Sequence, residues 1–207
     1  MLYQLSYLAE RGKGSEVGSG GYPGAMTETP PELHPFAEAP ATLELRKESW
    51  KKQTLDVVGG DRSFGRIDYG MWSGKGKAEA LGAAWLFSAP KGFTGRRVDI
   101  QRGDGTEVGD IDLKTWSRGG TFELVGARYE LSAAGILKER WAWERDGVEL
   151  VALQESGSLG QAKGTIELSA AGREDPNGGL LTLLAIHLKH SSDASSAAST
   201  SAIFAST

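Results

Sequence analysis

Gly178-Gly179-Leu180-Leu181-Thr182-Leu183-Leu184-Ala185-Ile186-His187-Leu188-Lys189-His190 is the only uniformly apolar stretch of the chain, and it follows a long series of short alternating segments. A helix that is apolar on every side must be surrounded by protein or lipid. About eleven residues between the Gly pair and the basic end rise only about 16 Å. A bilayer requires about 20 apolar residues. No transmembrane segment is therefore expected, and the strands that precede the helix are its natural cover. Asp175-Pro176 reads as its start, with Asp as N-cap and Pro at the first helical position. Lys189 and His190 read as its end, where the helix dipole favours cations.

Working outward, residues 42–170 read as short strands separated by turn signals at 8–12-residue spacing, the mark of a sandwich or barrel. Residues 42–49 alternate at their start, and residues 53–58, 63–69 and 83–88 follow as further short strands. Residues 97–102 and 107–113 flank Gly103-Asp104-Gly105-Thr106 as a hairpin, and residues 138–144 and 148–154 flank Asp146-Gly147 as a second one. Residues 121–125, 128–132 and 162–170 complete the series, while Ser73 to Lys77 reads as a Gly/Lys loop. Only closure covers a lone apolar helix on all sides, and closure also removes exposed edges. The expected fold is mainly β: a closed antiparallel β-barrel of about 12 strands enclosing the hydrophobic C-terminal helix.

The flanks differ in composition. Residues 1–40 are expected to be disordered or non-globular, because a Gly/Ser-rich run is followed by Pro30, Pro31, Pro35 and Pro40. One hypothesis is that Met26 is the authentic start and residues 1–25 come from an over-extended reading frame; the sequence does not decide it. Residues 41–190 form the barrel domain, and residues 191–207, mostly Ser, Ala and Thr, are expected to be a flexible tail.

Composition limits the chemistry. The 207 residues suit one domain with tails, and the 39% hydrophobic share leaves much of the chain outside a core. A formal charge of -4 argues against a nucleic-acid partner. No Cys is present, which removes thiolate catalysis, zinc–cysteine sites and iron–sulfur clusters together. The N-terminus has no basic leader and no long apolar run, so a cytoplasmic location is expected.

The order of parts resembles the tubby-like C-terminal fold, within it the LURP-one-related and phospholipid-scramblase-like branch. The resemblance rests on Val98-Asp99-Ile100-Gln101-Arg102-Gly103-Asp104-Gly105-Thr106-Glu107-Val108-Gly109-Asp110-Ile111, on residues 121–131, on Trp141-Ala142-Trp143-Glu144-Arg145-Asp146-Gly147-Val148-Glu149-Leu150, and on the Leu-rich end. It implies a barrel around a helix and a membrane-associated or signalling role. The chain departs from scramblases in lacking their Cys-rich palmitoylation segment and any second hydrophobic stretch.

Among candidate sites, Lys91, Arg96, Arg97 and Arg102 form the strongest. Four cations within twelve residues, around Gly residues and Phe93, suit a phosphate or lipid headgroup, since arginine binds phosphate oxygens in pairs. The ordinary alternative is a solvated strand face balanced by Asp99, Asp104 and Glu107. Arg102-Gly103-Asp104 spells an adhesion tripeptide, but the position is a hairpin tip that wants these residues for its backbone. Asp110 and Asp112 share a strand face near Glu107, as a calcium or magnesium site would require, yet Ile111 and Leu113 make this plain half-buried alternation. His187 and His190 fall on one helix face and suggest a ligand pair or a base, but no third ligand is marked. Six Trp residues (50, 72, 85, 116, 141, 143) read as barrel core before sugar-stacking platforms. Gly70 to Lys75 misses the phosphate-loop spacing, and no nucleophile elbow exists.

The expectation is thus a non-enzymatic binding or scaffold module with no catalytic residues, metal or cofactor. Its partner would be an anionic phospholipid or a protein, placing it in the cytoplasm or peripherally at the membrane. A lipocalin-like carrier of a small hydrophobic ligand and an uncharacterised hydrolase are the alternatives.

Overall fold

The computed structural model describes residues 31–47, 53–70, 75–88, 97–113, 119–124, 126–134, 140–155 and 164–204, with backbone alone for residues 112, 134, 155 and 193–204. Twelve antiparallel strands form a single ring: β1 Thr42–Lys47, β2 Thr54–Gly59, β3 Arg62–Tyr69, β4 Gly76–Ala80, β5 Ala83–Ser88, β6 Arg97–Arg102, β7 Glu107–Leu113, β8 Gly120–Leu124, β9 Ala127–Ala134, β10 Arg140–Arg145, β11 Val148–Glu155 and β12 Gly164–Leu168. Each strand pairs with its sequence neighbours. β1 closes the ring on β12 through the register Thr42↔Glu167 to Leu45↔Gly164. Among the described residues the ladder is thinnest between β7 and β8, where Asp112↔Thr121 and Leu113↔Gly120 pair, and this is the seam of the barrel.

Alternation builds the wall. In β1 Leu43 and Leu45 are buried while Thr42, Glu44 and Arg46 are exposed. β12 repeats the pattern with Gly164, Ile166 and Leu168 inside. Such strands place one apolar face on a core. β2 is buried on both faces because polar partners cover its outer side. Arg66 Nε donates to Asp56 Oδ1 at 2.8 Å, and Thr54 Oγ1 donates to Asp68 Oδ1 at 3.1 Å. The hairpin at Asp146-Gly147 turns with φ of 53° and 75°, the paired left-handed geometry that matches strand twist.

β4 falls partly on a segment read as a loop, residues 73–77. Gly76-Lys77-Ala78-Glu79-Ala80 has weak strand propensity, yet it alternates perfectly in burial. The reason lies in the helix that follows the sheet. α1 is Ala170–Glu174, and α2 is Gly178–Phe204. Residues 180–189 of α2 are all buried. α2 touches β3 and β4 on one part of the ring and β10 and β11 on another. On the first side the wall is small: a Cβ at Gly65 would lie 3.3 Å from Leu183, and one at Gly76 would lie 2.9 Å from His187 Nδ1. On the second side stand Trp141, Trp143, Val151 and Leu153, all buried. Small residues in β3 and β4 thus admit the helix backbone closely, and bulky ones in β10 and β11 complete the core.

Three boundaries differ from the sequence reading. Leu33 bridges Ser63 in parallel, residues Phe36–Glu38 form a 3-10 turn, and Phe36 is buried with its ring 6.2 Å from that of Phe64. Residues 33–40 therefore belong to the folded unit, because Phe36 and Ala39 supply the apolar anchor that prolines alone do not. The start of α2 is not Pro176. Asp175 accepts a hydrogen bond from the Asn177 N–H at 2.8 Å in a local turn, and Asn177 O caps Leu181 N–H at 2.9 Å. Finally, the backbone stays helical to Phe204, where composition suggested a tail from Ser191. Ala and Ser sustain a helix that is already nucleated, and no Gly or Pro follows Gly179 to stop it. Lys189 and His190 consequently lie within the helix, not at its end.

Gly76→Val is expected to destabilise the protein by about 1–3 kcal/mol through overpacking against His187 and Ile67. Lys77→Ala on the exposed face should change stability by less than about 0.5 kcal/mol. Urea denaturation followed by tryptophan fluorescence checks both.

Candidate functional site

Two of the four cations of the basic cluster, Arg97 and Arg102, are among the described residues, and they stand apart from each other. Lys91 and Arg96 lie outside the described residues. Arg97 opens β6 and is engaged on both sides, with Nη2 3.1 Å from Asp110 Oδ1 and Nε 3.5 Å from Asp99 Oδ1. Asp99 and Asp110 face each other across the β6–β7 ladder, so one guanidinium relieves two opposed carboxylates. The same contacts account for Asp110 without a cation, and among the described residues no group of three His, Asp or Glu could hold a metal. Arg102 ends β6 five residues on, which in a strand is about 16 Å from Arg97 and beyond the span of one phosphate. Its carbonyl accepts from Gly105 N–H at 2.9 Å, and Asp104 accepts from Thr106 N–H at 2.9 Å. Those hydrogen bonds hold the Asp104 carboxyl below its ordinary value. Arg102-Gly103-Asp104 is accordingly a turn.

Arg62, Arg128 and Arg140 are likewise engaged by carboxylates. Arg140 makes a forked pair to Glu149, at 2.6 Å and 2.5 Å, and lies 3.5 Å from Glu167. The hydrogen bonds from Arg140 pull the Glu149 carboxyl below the usual range. Trp141 and Trp143 are core residues, Trp85 is partly buried against the core, and Trp50, Trp72 and Trp116 lie outside the described residues.

Two polar clusters sit at opposite ends of the buried part of α2. At its start, Asp175 has a fully buried side chain that accepts from Arg145 Nη1 at 2.6 Å, from Tyr129 Oη at 3.2 Å and from Asn177 N. Asn177 Nδ2 in turn donates to Tyr129 Oη at 2.8 Å. β9, β10 and the helix entry are thereby tied to one carboxylate, whose oxygens are occupied by hydrogen-bond donors. A buried polar network of this kind fixes geometry. It offers no free acid to a substrate.

At the other end, His187 is 1% exposed. Its ring lies 5.2 Å from that of Phe87 and 5.9 Å from that of Tyr69, and the His190 ring stacks on Tyr69 at 4.0 Å. Burial, aided by the charge of His190, pushes the His187 imidazole down to about 3, so it is neutral at ordinary pH. Burial also pushes the Tyr69 phenol well above its usual value. His187 and His190 both lie against the ring of Tyr69, and among the described residues no third His, Asp or Glu joins them as a metal site would require. Tyr69 and Phe87 had no sequence signal as partners of His187, since they sit on β3 and β5, about a hundred residues away.

The two ends of the ring also differ in their connections. Those joining β2–β3, β4–β5, β6–β7, β8–β9 and β10–β11 are two to four residues long and contain no Lys or Arg but three Asp. Those joining β1–β2, β3–β4, β5–β6, β7–β8, β9–β10 and β11–β12 are five to eight residues long and hold nine Lys or Arg against two Asp or Glu, with Trp50, Trp72, Phe93 and Trp116. Most of the latter residues lie outside the described ones; their sequence and points of attachment alone enter here. The outer wall carries an open depression of about 280 Å³ lined by Gly120, Thr121, Arg128, Glu130 and Ser132 among others.

Comparisons with protein-family models, with curated proteins and with solved structures give no match to this chain.

Tyr129→Phe should cost about 1–3 kcal/mol, because it leaves both the Asp175 carboxylate and the Asn177 amide short of a buried partner. Thermal unfolding of the variant, with retained far-UV circular dichroism at low temperature, measures it.

Proposed function

We propose that this protein is a non-enzymatic binding module of tubby-like architecture, in which α2 fills the ring and the end bearing the long connections meets an anionic phospholipid surface. The observation that carries the reading is the difference between the two ends. One has short turns bearing acids alone, and the other has connections rich in Lys, Arg and Trp. Basic residues are drawn to anionic leaflets, each contributing about 1 kcal/mol near the surface, and Trp prefers the headgroup region. A chain whose formal charge is -4 concentrates its cations at one end, which orients it towards such a surface.

The tubby-like reading is supported by twelve strands paired in sequence order and by a C-terminal helix buried against strands from two parts of the ring. A filled interior speaks against the carrier alternative, since buried Leu side chains of α2 and the rings of Phe87, Phe122, Trp141 and Trp143 occupy the core. Against the hydrolase alternative, the clustered acids Asp175, Asp99 and Asp110 are each paired to arginine. No helix among the described residues is long and apolar enough to cross a membrane, so attachment would be peripheral.

The full chain should co-sediment at low salt with vesicles of phosphatidylcholine and phosphatidylserine, and not with phosphatidylcholine alone. Lys91→Ala/Arg96→Ala should weaken binding about 30-fold, as the loss of about 2 kcal/mol implies, and physiological salt should weaken it further. Equal binding to both vesicle types, or none at low salt, would overturn the lipid reading.

A further inference from the structure

The His187 end of α2 holds a buried base that the lipid reading does not use. His187 sits against β3 through Tyr69, against β4 through Gly76 and against β5 through Phe87. Of these neighbours only Tyr69 titrates, and burial keeps it neutral. On its own helix His187 feels His190, whose charge is of the wrong sign, and the buried Lys189 is the next cation along. No carboxylate among these neighbours compensates a proton on the imidazole, and His187 Nδ1 is buried without a hydrogen-bond partner among the described residues. The far end of the same helix segment is held differently. Asp175 is tied to Arg145, Tyr129 and Asn177 with no histidine involved.

We infer that α2 carries an acid-sensitive latch: protonation of His187 releases the helix from Tyr69 and Phe87 around residues 184–190, while the Asp175 end remains fastened. The sign follows from where the proton is welcome. A released His187 regains the ordinary imidazole value of about 6.5, whereas the seated one protonates only at about 3. The released form therefore binds more protons throughout that window. Its population relative to the seated form rises about tenfold for each pH unit below about 6.5 and levels off near 3. Local opening of one cooperative segment inside an otherwise folded protein has ample precedent in the uneven stability of folded chains. The latch stands on the contacts of His187 and is independent of lipid binding.

Amide hydrogen exchange of the full chain, read by mass spectrometry between pH 7 and pH 4 and corrected for intrinsic rates, tests it without lipid. Protection across residues 184–190 should fall about 50-fold between pH 6.5 and pH 4.5, with little change in peptides from β10 and β11. His187→Gln should flatten that dependence, and His190→Gln should leave most of it in place. Should His187→Gln fail to fold, the imidazole titration of His187 in the unaltered protein, followed by NMR, takes its place: the ring must titrate together with the loss of protection. Uniform loss of protection across all strands, unchanged protection in α2, or the same pH dependence in a folded His187→Gln would overturn the latch. Failure of vesicle binding would leave it untouched.

Discussion

Ten consecutive residues of α2, 180–189, are buried, and most of the molecule is arranged around that requirement. A helix can be covered on every side because its backbone groups are satisfied internally. The cover must then be apolar and shaped to fit. β3 and β4 meet the helix with Gly65, Gly76, Ala78 and Ala80, while β10 and β11 bring Trp141, Trp143, Val151 and Leu153. The weak strand propensity of β4 is thus a consequence of packing: a larger residue at Gly76 would collide with His187. Close-packed interiors leave no slack for such collisions.

Hydrophobic cover is non-directional and does not by itself set the depth of a helix along its axis. The polar network at Asp175 does. Arg145 and Tyr129, on adjacent strands, and Asn177, just before α2, converge on one buried carboxylate, so sliding the helix by a turn would strand a charge. Desolvated ion pairs are weak sources of stability but strong sources of register. At the opposite end the rings of Tyr69 and Phe87 lie against His187, and Tyr69 stacks on His190. The two ends are consequently unequal in chemistry as well as in connection length.

Much of the wall was legible in the sequence because alternation and Asp-Gly turns are local signals. The hairpins around Gly103-Asp104-Gly105-Thr106 and Asp146-Gly147 stand where those dipeptides place them. β4 was hidden because its residues were chosen for size against a helix a hundred residues downstream. The helix start was misplaced because Asp175 looks like a cap, whereas Tyr129 and Arg145 claim its carboxylate. Residues 33–40 looked non-globular because one buried ring, Phe36, is too small a signal beside several prolines. Of the basic cluster, Arg97 and Arg102 are close in sequence but not in space: a strand carries Arg102 away from Arg97, and paired aspartates occupy Arg97.

The pairing of β1 with β12 sets an order of events during synthesis. Neighbouring strands from β2 to β11 meet across short stretches of chain, so hairpins can form as the polypeptide leaves the ribosome. β1 has half its partners at once in β2, but Leu43 finds Ile166 only after more than a hundred further residues have been made. Until then an apolar edge stays open at each end of a growing sheet, the condition in which nascent chains recruit chaperones or one another. β12 and α2 follow the other strands in the chain, and α2 buries a long run of Leu and Ile, so the vulnerability lasts until both have been made.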